Sequence, residues 1–361
     1  MAEFRLNDIA IEGIACAVPN NKVCTESFCE QFGKDTVDNF IKTTGVKSTY
    51  RTAEEQTASD LCFVAAESLI QKKQLNKSEI GALVFVSQTP DYRLPATACV
   101  LHKRLQLEKS CLCFDVNLGC SGFVYGLNIV GSLLQTNNID KALLLFGDTS
   151  IKTTSPYDKS SIMLFGEAGS ATLLVKKSGS EIYGELMTDG EGFKAIIMPS
   201  GAYRNMNGSR ERTKWGDGNV RSDYDGVMNG TDVFAFTISQ VPRLINNLMR
   251  NTNTSPDDYD ALVLHQANLY ILKQLSKKTK FPLEKIPISL DRYGNTSGTS
   301  IPLTLCDSYG NDDGDVPVNI LMSGFGIGLS WGVARTVIDK KNIFPIVYTD
   351  DHYTDGAVSH D

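Results

Sequence analysis

Short apolar runs of strand length alternate along the chain with longer stretches whose apolar positions repeat at helical spacing. The strand-like runs are 9–15, 82–88, 111–116, 142–148, 170–175, 261–266, 318–324 and 329–337. The helical stretches are 57–72, 95–104, 121–135, 231–250 and 268–279. Strands alternating with helices predict an α/β architecture with helices on the sheet faces. The stretch after Cys120 is apolar on every side, through Phe123, Val124, Tyr125, Leu127, Ile129, Val130, Leu133 and Leu134. Such a helix is buried rather than laid on a surface.

The two halves of the chain resemble each other. Gly81-Ala-Leu-Val-Phe-Val-Ser-Gln-Thr-Pro90 pairs with Asp260-Ala-Leu-Val-Leu-His-Gln-Ala-Asn-Leu269, each a short strand entering a helical pattern. Leu164-Phe-Gly-Glu-Ala-Gly-Ser-Ala-Thr-Leu-Leu-Val175 pairs with Met322-Ser-Gly-Phe-Gly-Ile-Gly-Leu-Ser-Trp-Gly-Val333, each reading as strand, glycine turn, strand. A repeat of half the chain implies a duplicated domain packed on itself. The halves are expected at 1–178 and 179–339, with the boundary near 176–184, at Lys-Lys-Ser-Gly-Ser. A polar excursion at 200–226 reads as a surface insert or lid, and 340–361 as a polar tail of little periodicity.

With 361 residues, 42% hydrophobic and 21% charged, the chain has the make-up of an ordinary globular protein of two domains or one double unit. No apolar run has the length of a membrane span, and the N-terminus lacks the blocks of a signal peptide. Nine cysteines form no regular framework; Cys111 and Cys113 fall on an expected buried strand, too close for metal-site spacing. Reduced thiols and a cytoplasmic location are the expectation. A net charge of −7 argues against non-specific nucleic-acid binding.

Candidate chemistry centres on Cys120, at the mouth of the buried helix after a small-residue elbow. A helix N-terminus favours negative charge and is expected to lower the thiol pKa, readying a nucleophile. Of four histidines, His352 and His360 lie in the tail, and His102 reads as a surface residue beside Lys103 and Arg104. His265 ends an apolar strand, where α/β sheets build sites, though a core histidine satisfied by backbone explains it equally well. Asn295 lies in a run of small and hydroxylated residues, where a turn or capping role is the plainer explanation. Gly324-Phe-Gly-Ile-Gly-Leu-Ser-Trp-Gly332 is either a tight β-turn or a set of backbone N–H groups aimed at an oxyanion. No Lys-Ser/Thr follows it, so it is not a phosphate loop.

Taken together, Gly-Cys120-Ser-Gly-Phe, His265-Gln-Ala-Asn268 and Tyr-Gly-Asn295-Thr-Ser resemble the β-ketoacyl-[acyl carrier protein] synthase III family of the thiolase superfamily. The order Cys, His, Asn matches, as does the 30-residue interval from His265 to Asn295. Thr44-Gly-Val, Thr57-Ala-Ser-Asp, Leu164-Phe-Gly-Glu-Ala-Gly, Met228-Asn-Gly-Thr-Asp-Val-Phe and Ser330-Trp-Gly extend the likeness along nearly the whole chain. The resemblance implies a five-layered αβαβα fold, a homodimer, and a ping-pong condensation without metal or redox cofactor. It implies an acyl group on Cys120, an oxyanion hole from the backbone N–H groups of Cys120 and Ile327, and His265 and Asn295 as donors to a malonyl thioester. Acyl-CoA and acyl carrier protein are the implied substrates and partners.

The same resemblance places Phe40, Lys42 and Lys159 where the family holds CoA. Asn268 and Phe325 fall at substrate-binding positions. Leu94 replaces the phenylalanine that crosses the family's dimer to line the acyl pocket, and Tyr270 and Ala235 replace basic carrier-protein contacts. Lys273, Lys277, Lys278 and Lys280 offer another basic face for an acidic carrier, or simply a solvated one. An acyltransferase passing the cysteine-bound acyl group to an amine or hydroxyl is the alternative on the same scaffold. A hydrolase and a non-catalytic paralogue fit the residues less well, since no carboxylate orients His265 and all three chemical positions are kept.

Overall fold

The structure, a computed structural model, describes residues 2–312, 314 and 316–354. Its principal elements are β1 (Ala2–Pro19), α1 (Lys34–Thr44), α2 (Ala58–Lys72), β2 (Ile80–Val86), α3 (Thr97–Leu105), β3 (Leu112–Val116), α4 (Gly122–Thr136), β4 (Lys141–Asp148) and β5 (Ala168–Thr188). They continue with α5 (Gly230–Asn251), β6 (Ala261–Leu264), α6 (Leu269–Thr279), α7 (Ser300–Tyr309), β7 (Pro317–Gly326), β8 (Ser330–Asp339) and β9 (Val347–Thr349).

Strand hydrogen bonding runs in the order β6–β7–β8–β5–β4–β2–β3, with β1 lying along β5. β1 and β5 are long enough to serve two sheets. Residues 9–17 of β1 pair with the first part of β5, which also pairs with β4; residues 2–7 pair with the last part, which also pairs with β8. Register slips at Asn7/Ile9 and Ile11/Gly13 fall where the ribbon passes from one sheet to the other, as bulges bend a strand and raise its twist.

Two-residue alternation then sorts the side chains into layers. On β2, Ala82, Val84 and Val86 join the central core, whereas Leu83 and Phe85 join the core under α2 and α3. On β6, Val263 faces the central core and Leu262 and Leu264 face α5 and α6. The central core holds α4 and α7, one helix from each half of the chain. The result is the expected duplicated thiolase-like αβαβα arrangement: α2 and α3, sheet, α4 and α7, sheet, α5 and α6. No residue of α4 is exposed before Gln135, as an all-apolar helix requires.

The differences from expectation have local causes. The 178/179 division falls inside β5, so the chain passes between halves as a strand, exposed at Lys177 and Ser178, rather than as a linker. Residues 164–167 form a turn instead of a strand. There the buried Glu167 carboxylate accepts Thr52 N–H (2.6 Å), the Thr52 hydroxyl (2.7 Å) and Ile151 N–H (3.1 Å). β3 is an edge strand, not a buried one, and Leu112 is 43% exposed. Helix α1 was not anticipated because its Thr36, Thr43 and Thr44 are poor helix formers, although Val37, Phe40 and Ile41 supply an apolar stripe. Within the tail, β9 pairs in parallel with β1, and Gln56 Nε2 donates to the carbonyls of Thr349 and Asp351. Residues 355–361, with His360, lie outside the described residues.

The excursion at 200–226 is mostly exposed but pinned at its end. Arg221, 1% exposed, donates from Nε to Asp158 (2.6 Å) and from Nη1 to Asp217 (2.8 Å). The Ser155 hydroxyl donates to the Val220 carbonyl (2.6 Å), and Gly226 N–H to Thr153 (2.8 Å).

Candidate active site

Between β3 and α4 the chain makes the small-residue elbow that carries Cys120, two residues before the helix begins. Cys120 is 7% exposed. The backbone N–H of Ile327, the Ser297 hydroxyl and its own backbone N–H each favour the thiolate form. The backbone N–H groups of Cys120 and Ile327, expected to form an oxyanion hole, are both among the groups that favour negative charge on it. The turn between β7 and β8 closes over the thiol because residue 326 has no side chain. A Cβ there would lie 2.9 Å from Cys120 Sγ, and φ is +156°. The Ser121 and Ser330 hydroxyls, 2.6 Å apart, tie the elbow to that turn.

The thiol is not acidified as its helix position suggested. Burial pushes its pKa up to about 11, outweighing the Ile327 N–H that favours the thiolate. A helix terminus contributes about 0.3–2 kcal/mol, less than ~1.5 pKa units, whereas full burial shifts a group by up to ~3–5 units. Cys120 therefore rests as the thiol at neutral pH.

His265 follows the last residue of β6 and is 2% exposed. Its Nδ1 lies 3.0 Å from the Ser297 carbonyl oxygen and 2.9 Å from the Ser300 hydroxyl. Burial lowers its pKa to about 4, against the hydrogen bond to Ser297, so the ring is neutral at pH 7. Phe325 packs edge-on against the imidazole, centroids 5.3 Å apart. Asn295 is 7% exposed and is held by backbone bonds to Leu164 (2.9 Å) and Gly166 (3.1 Å). Its Oδ1 accepts Ser297 N–H at 3.0 Å, which leaves Nδ2 to face outward from that bond.

Ser297 thus bears on all three: its carbonyl lies beside His265 Nδ1, its N–H donates to Asn295, and its hydroxyl favours the Cys120 thiolate. Its φ of +54° is uncommon for a residue with a Cβ. Sequence reasoning passed over it, although it stands within the Asn-Thr-Ser run. Asp148, at the end of β4, was also missed; a carboxylate closing Ala-Leu-Leu-Leu-Phe-Gly was the available sign. It is 3% exposed, accepts Gln88 N–H (2.7 Å) and the Ser87 hydroxyl (3.1 Å), and is pushed up to about 6 by burial.

The remaining predicted positions are less alike. Asn268 caps α6, its Oδ1 accepting Ile271 N–H at 2.8 Å. Phe40 is half-buried and packs against two hydrophobic clusters, while Lys42 and Lys159 are exposed. Lys159 follows Asp158, the buried partner of Arg221. Leu94 is 75% exposed, and Lys273, Lys277, Lys278 and Lys280 are exposed on and just after α6. Tyr270 stacks on Phe234, centroids 5.5 Å apart. Among the described residues no cluster of His, Cys, Asp or Glu is arranged to hold a metal, and no helix is long and apolar enough to cross a membrane.

A duplicated five-layer fold with a buried cysteine at a helix mouth, a neutral histidine and an oriented asparagine defines a thiolase-superfamily protein. Residues 114–190 match the family described as 3-oxoacyl-[acyl-carrier-protein (ACP)] synthase III, and 249–337 match its C-terminal family. The chain belongs to the 3-oxoacyl-[acyl-carrier-protein] synthase III family and is an enzyme of that type. It is 32% identical over 327 residues to β-ketoacyl-[acyl-carrier-protein] synthase III of Clostridium perfringens, covering 89% of this chain and 97% of the relative. The Porphyra purpurea protein of the same name is 31% identical, with 88% and 95% covered. A 3-oxoacyl-(acyl-carrier protein) synthase structure from Burkholderia xenovorans superposes with a TM-score of 0.91 at 35% identity, covering 96% of this chain and 99% of that one.

Proposed function

We propose that the protein condenses an acyl thioester with a malonyl thioester, using Cys120, His265 and Asn295. The Cys120 sulfur attacks the acyl carbonyl, the bond to the donor sulfur breaks, and the thiol proton leaves with the departing thiol. The negative oxygen formed on the way accepts the N–H groups of Cys120 and Ile327. A malonyl thioester then enters, its carbonyl oxygen hydrogen-bonded to His265 Nε2–H and Asn295 Nδ2–H. Its carboxylate departs as CO₂, and the bonding pair forms an enolate that attacks the Cys120 thioester. The cysteine is released and takes up a proton. Each donor lowers the barrier by about 3 kcal/mol. Decarboxylation generates the carbanion, so neutral donors suit the task better than a strong base, and the chemistry calls for no metal or redox cofactor.

The observation that carries this reading is the buried Cys120 under the glycine turn at 326, with His265 Nδ1 3.0 Å from the Ser297 carbonyl and Asn295 accepting the N–H of the same Ser297. Acyl-CoA is placed along Phe40, Lys42 and Lys159, with Asn268 and Phe325 nearer the chemistry. An acidic carrier protein is placed on the Lys273, Lys277, Lys278 and Lys280 face. The exposed Leu94 and the open edge of β3 support a homodimer. Incubation with acyl-CoA should add the acyl mass at Cys120 and fail in Cys120→Ser; Asn295→Ala should acylate but not condense. Absence of CO₂ from labelled malonyl thioester with every donor would leave the acyltransferase instead, in which His265 acts as a base toward an amine or hydroxyl.

A further inference from the structure

His265 Nδ1 has two polar neighbours that ask opposite things of it. The Ser297 carbonyl, at 3.0 Å, can only accept; the Ser300 hydroxyl, at 2.9 Å, can donate. A neutral imidazole carries one proton, so serving one neighbour from Nδ1 decides what Nε2 presents to a substrate. The surroundings of the two neighbours settle the competition. The Ser297 carbonyl already accepts the backbone N–H of Ser300. The Ser300 hydroxyl, 1% exposed, already accepts Gln266 N–H at 3.2 Å, and among the described residues Nδ1 is the only acceptor placed for its proton. A proton on Nδ1 would therefore strand a buried hydroxyl donor. A lone pair on Nδ1 leaves the Ser297 carbonyl with one bond still made, and a buried orphan donor is the costlier defect.

We infer that Ser300 is a positioning residue whose hydroxyl donates to His265 Nδ1 and thereby places the imidazole proton on Nε2, facing the substrate. The inference rests on the condensing role proposed above for its kinetic consequence, but not for the tautomer itself. The Ser297 carbonyl is the competitor, and it wins when the hydroxyl is removed. Exchange between the two forms carries no net charge: one proton leaves Nδ1 as another arrives at Nε2.

The test uses the full-length protein labelled with ¹⁵N-histidine, with the His265 signals assigned by their loss in His265→Asn. Wild type should show a protonated Nε2 and an unprotonated Nδ1; Ser300→Ala should reverse them; Ser300→Thr, which keeps the hydroxyl, should restore the wild-type pattern. In kinetics, Ser300→Ala should load the acyl group on Cys120 within about threefold of wild type. It should release CO₂ from malonyl thioester about 100-fold more slowly, the loss of one oriented donor. Ser300→Thr should recover most of that rate. The same His265 tautomer in wild type and Ser300→Ala, or an equal slowing of both half-reactions, overturns the inference. If Ser300→Ala fails to fold, wild type decides alone: a protonated Nδ1 overturns the assignment and a protonated Nε2 upholds it. Wild-type protein that neither acylates nor decarboxylates would defeat the condensing role, while the nitrogen spectra still decide the tautomer.

Discussion

Two buried ionisable groups of opposite kind flank the candidate nucleophile, and their effects on stability should oppose each other. His265 has a pKa of about 4 in the folded chain against 6.5 when free. As pH falls through that window, the unfolded chain takes up a proton that the native one refuses, so stability is lost. The 2.5-unit difference corresponds to roughly 3 kcal/mol. Asp148 behaves in reverse, at about 6 folded against 3.8 free. The native chain binds its proton first, so stability is gained as pH falls from about 6 to 3.8, by roughly 2 to 3 kcal/mol. In wild type the two nearly cancel. Asp148→Asn leaves the histidine unopposed. Its stability relative to wild type should fall by roughly 2 to 3 kcal/mol between pH 7 and 4, and that of His265→Asn should rise by roughly 3. Urea midpoints and slopes, measured by circular dichroism across this range, give both differences; the carboxylates common to all the proteins cancel in them. Curves for the two variants that stay parallel to wild type within ~0.5 kcal/mol would refute the reasoning.

Gly326→Ala sets a Cβ 2.9 Å from Cys120 Sγ at a φ of +156°, and acyl loading should drop about tenfold or more; an unchanged adduct rate by mass spectrometry would count against the closed turn. Arg221→Ala strips the buried Asp158 carboxylate of its partner and should cost about 3–5 kcal/mol. Faster trypsin cleavage within 200–226 and a lower melting temperature are the readouts, and an unaltered digest would contradict the pinning role. Reversing Lys273 and Lys277 to Glu should raise KM for a carrier-protein substrate, more so at low salt, and leave KM for the CoA substrate alone; equal effects on both would remove the docking face.

Much of the fold was legible because layer architecture follows from short-range pattern. The continuous apolar runs at Ala82–Val86 and after Cys120 mark a strand and a helix as buried before any contact is known, while the structure decides which core each strand face joins. Cys120 stood out by its place at a helix mouth, whereas His265 and Asn295, each explained as well or better by a structural role alone, were joined to it by the family resemblance. What the order of residues left open were quantities set by distant neighbours. The thiol pKa turned on how completely other elements cover Cys120, and desolvation outweighed the local helix terminus. The links that hold the site are made by Ser297 and Ser300, 32 and 35 residues from His265, and neither differs in type from any turn serine. The β5 strand passing through both sheets, the open β3 edge and the β9 addition depend on pairing partners far along the chain. Local sequence thus determined the elements and put forward the candidate side chains; tertiary packing decided their protonation and orientation, because both depend on which remote groups exclude water and supply hydrogen bonds.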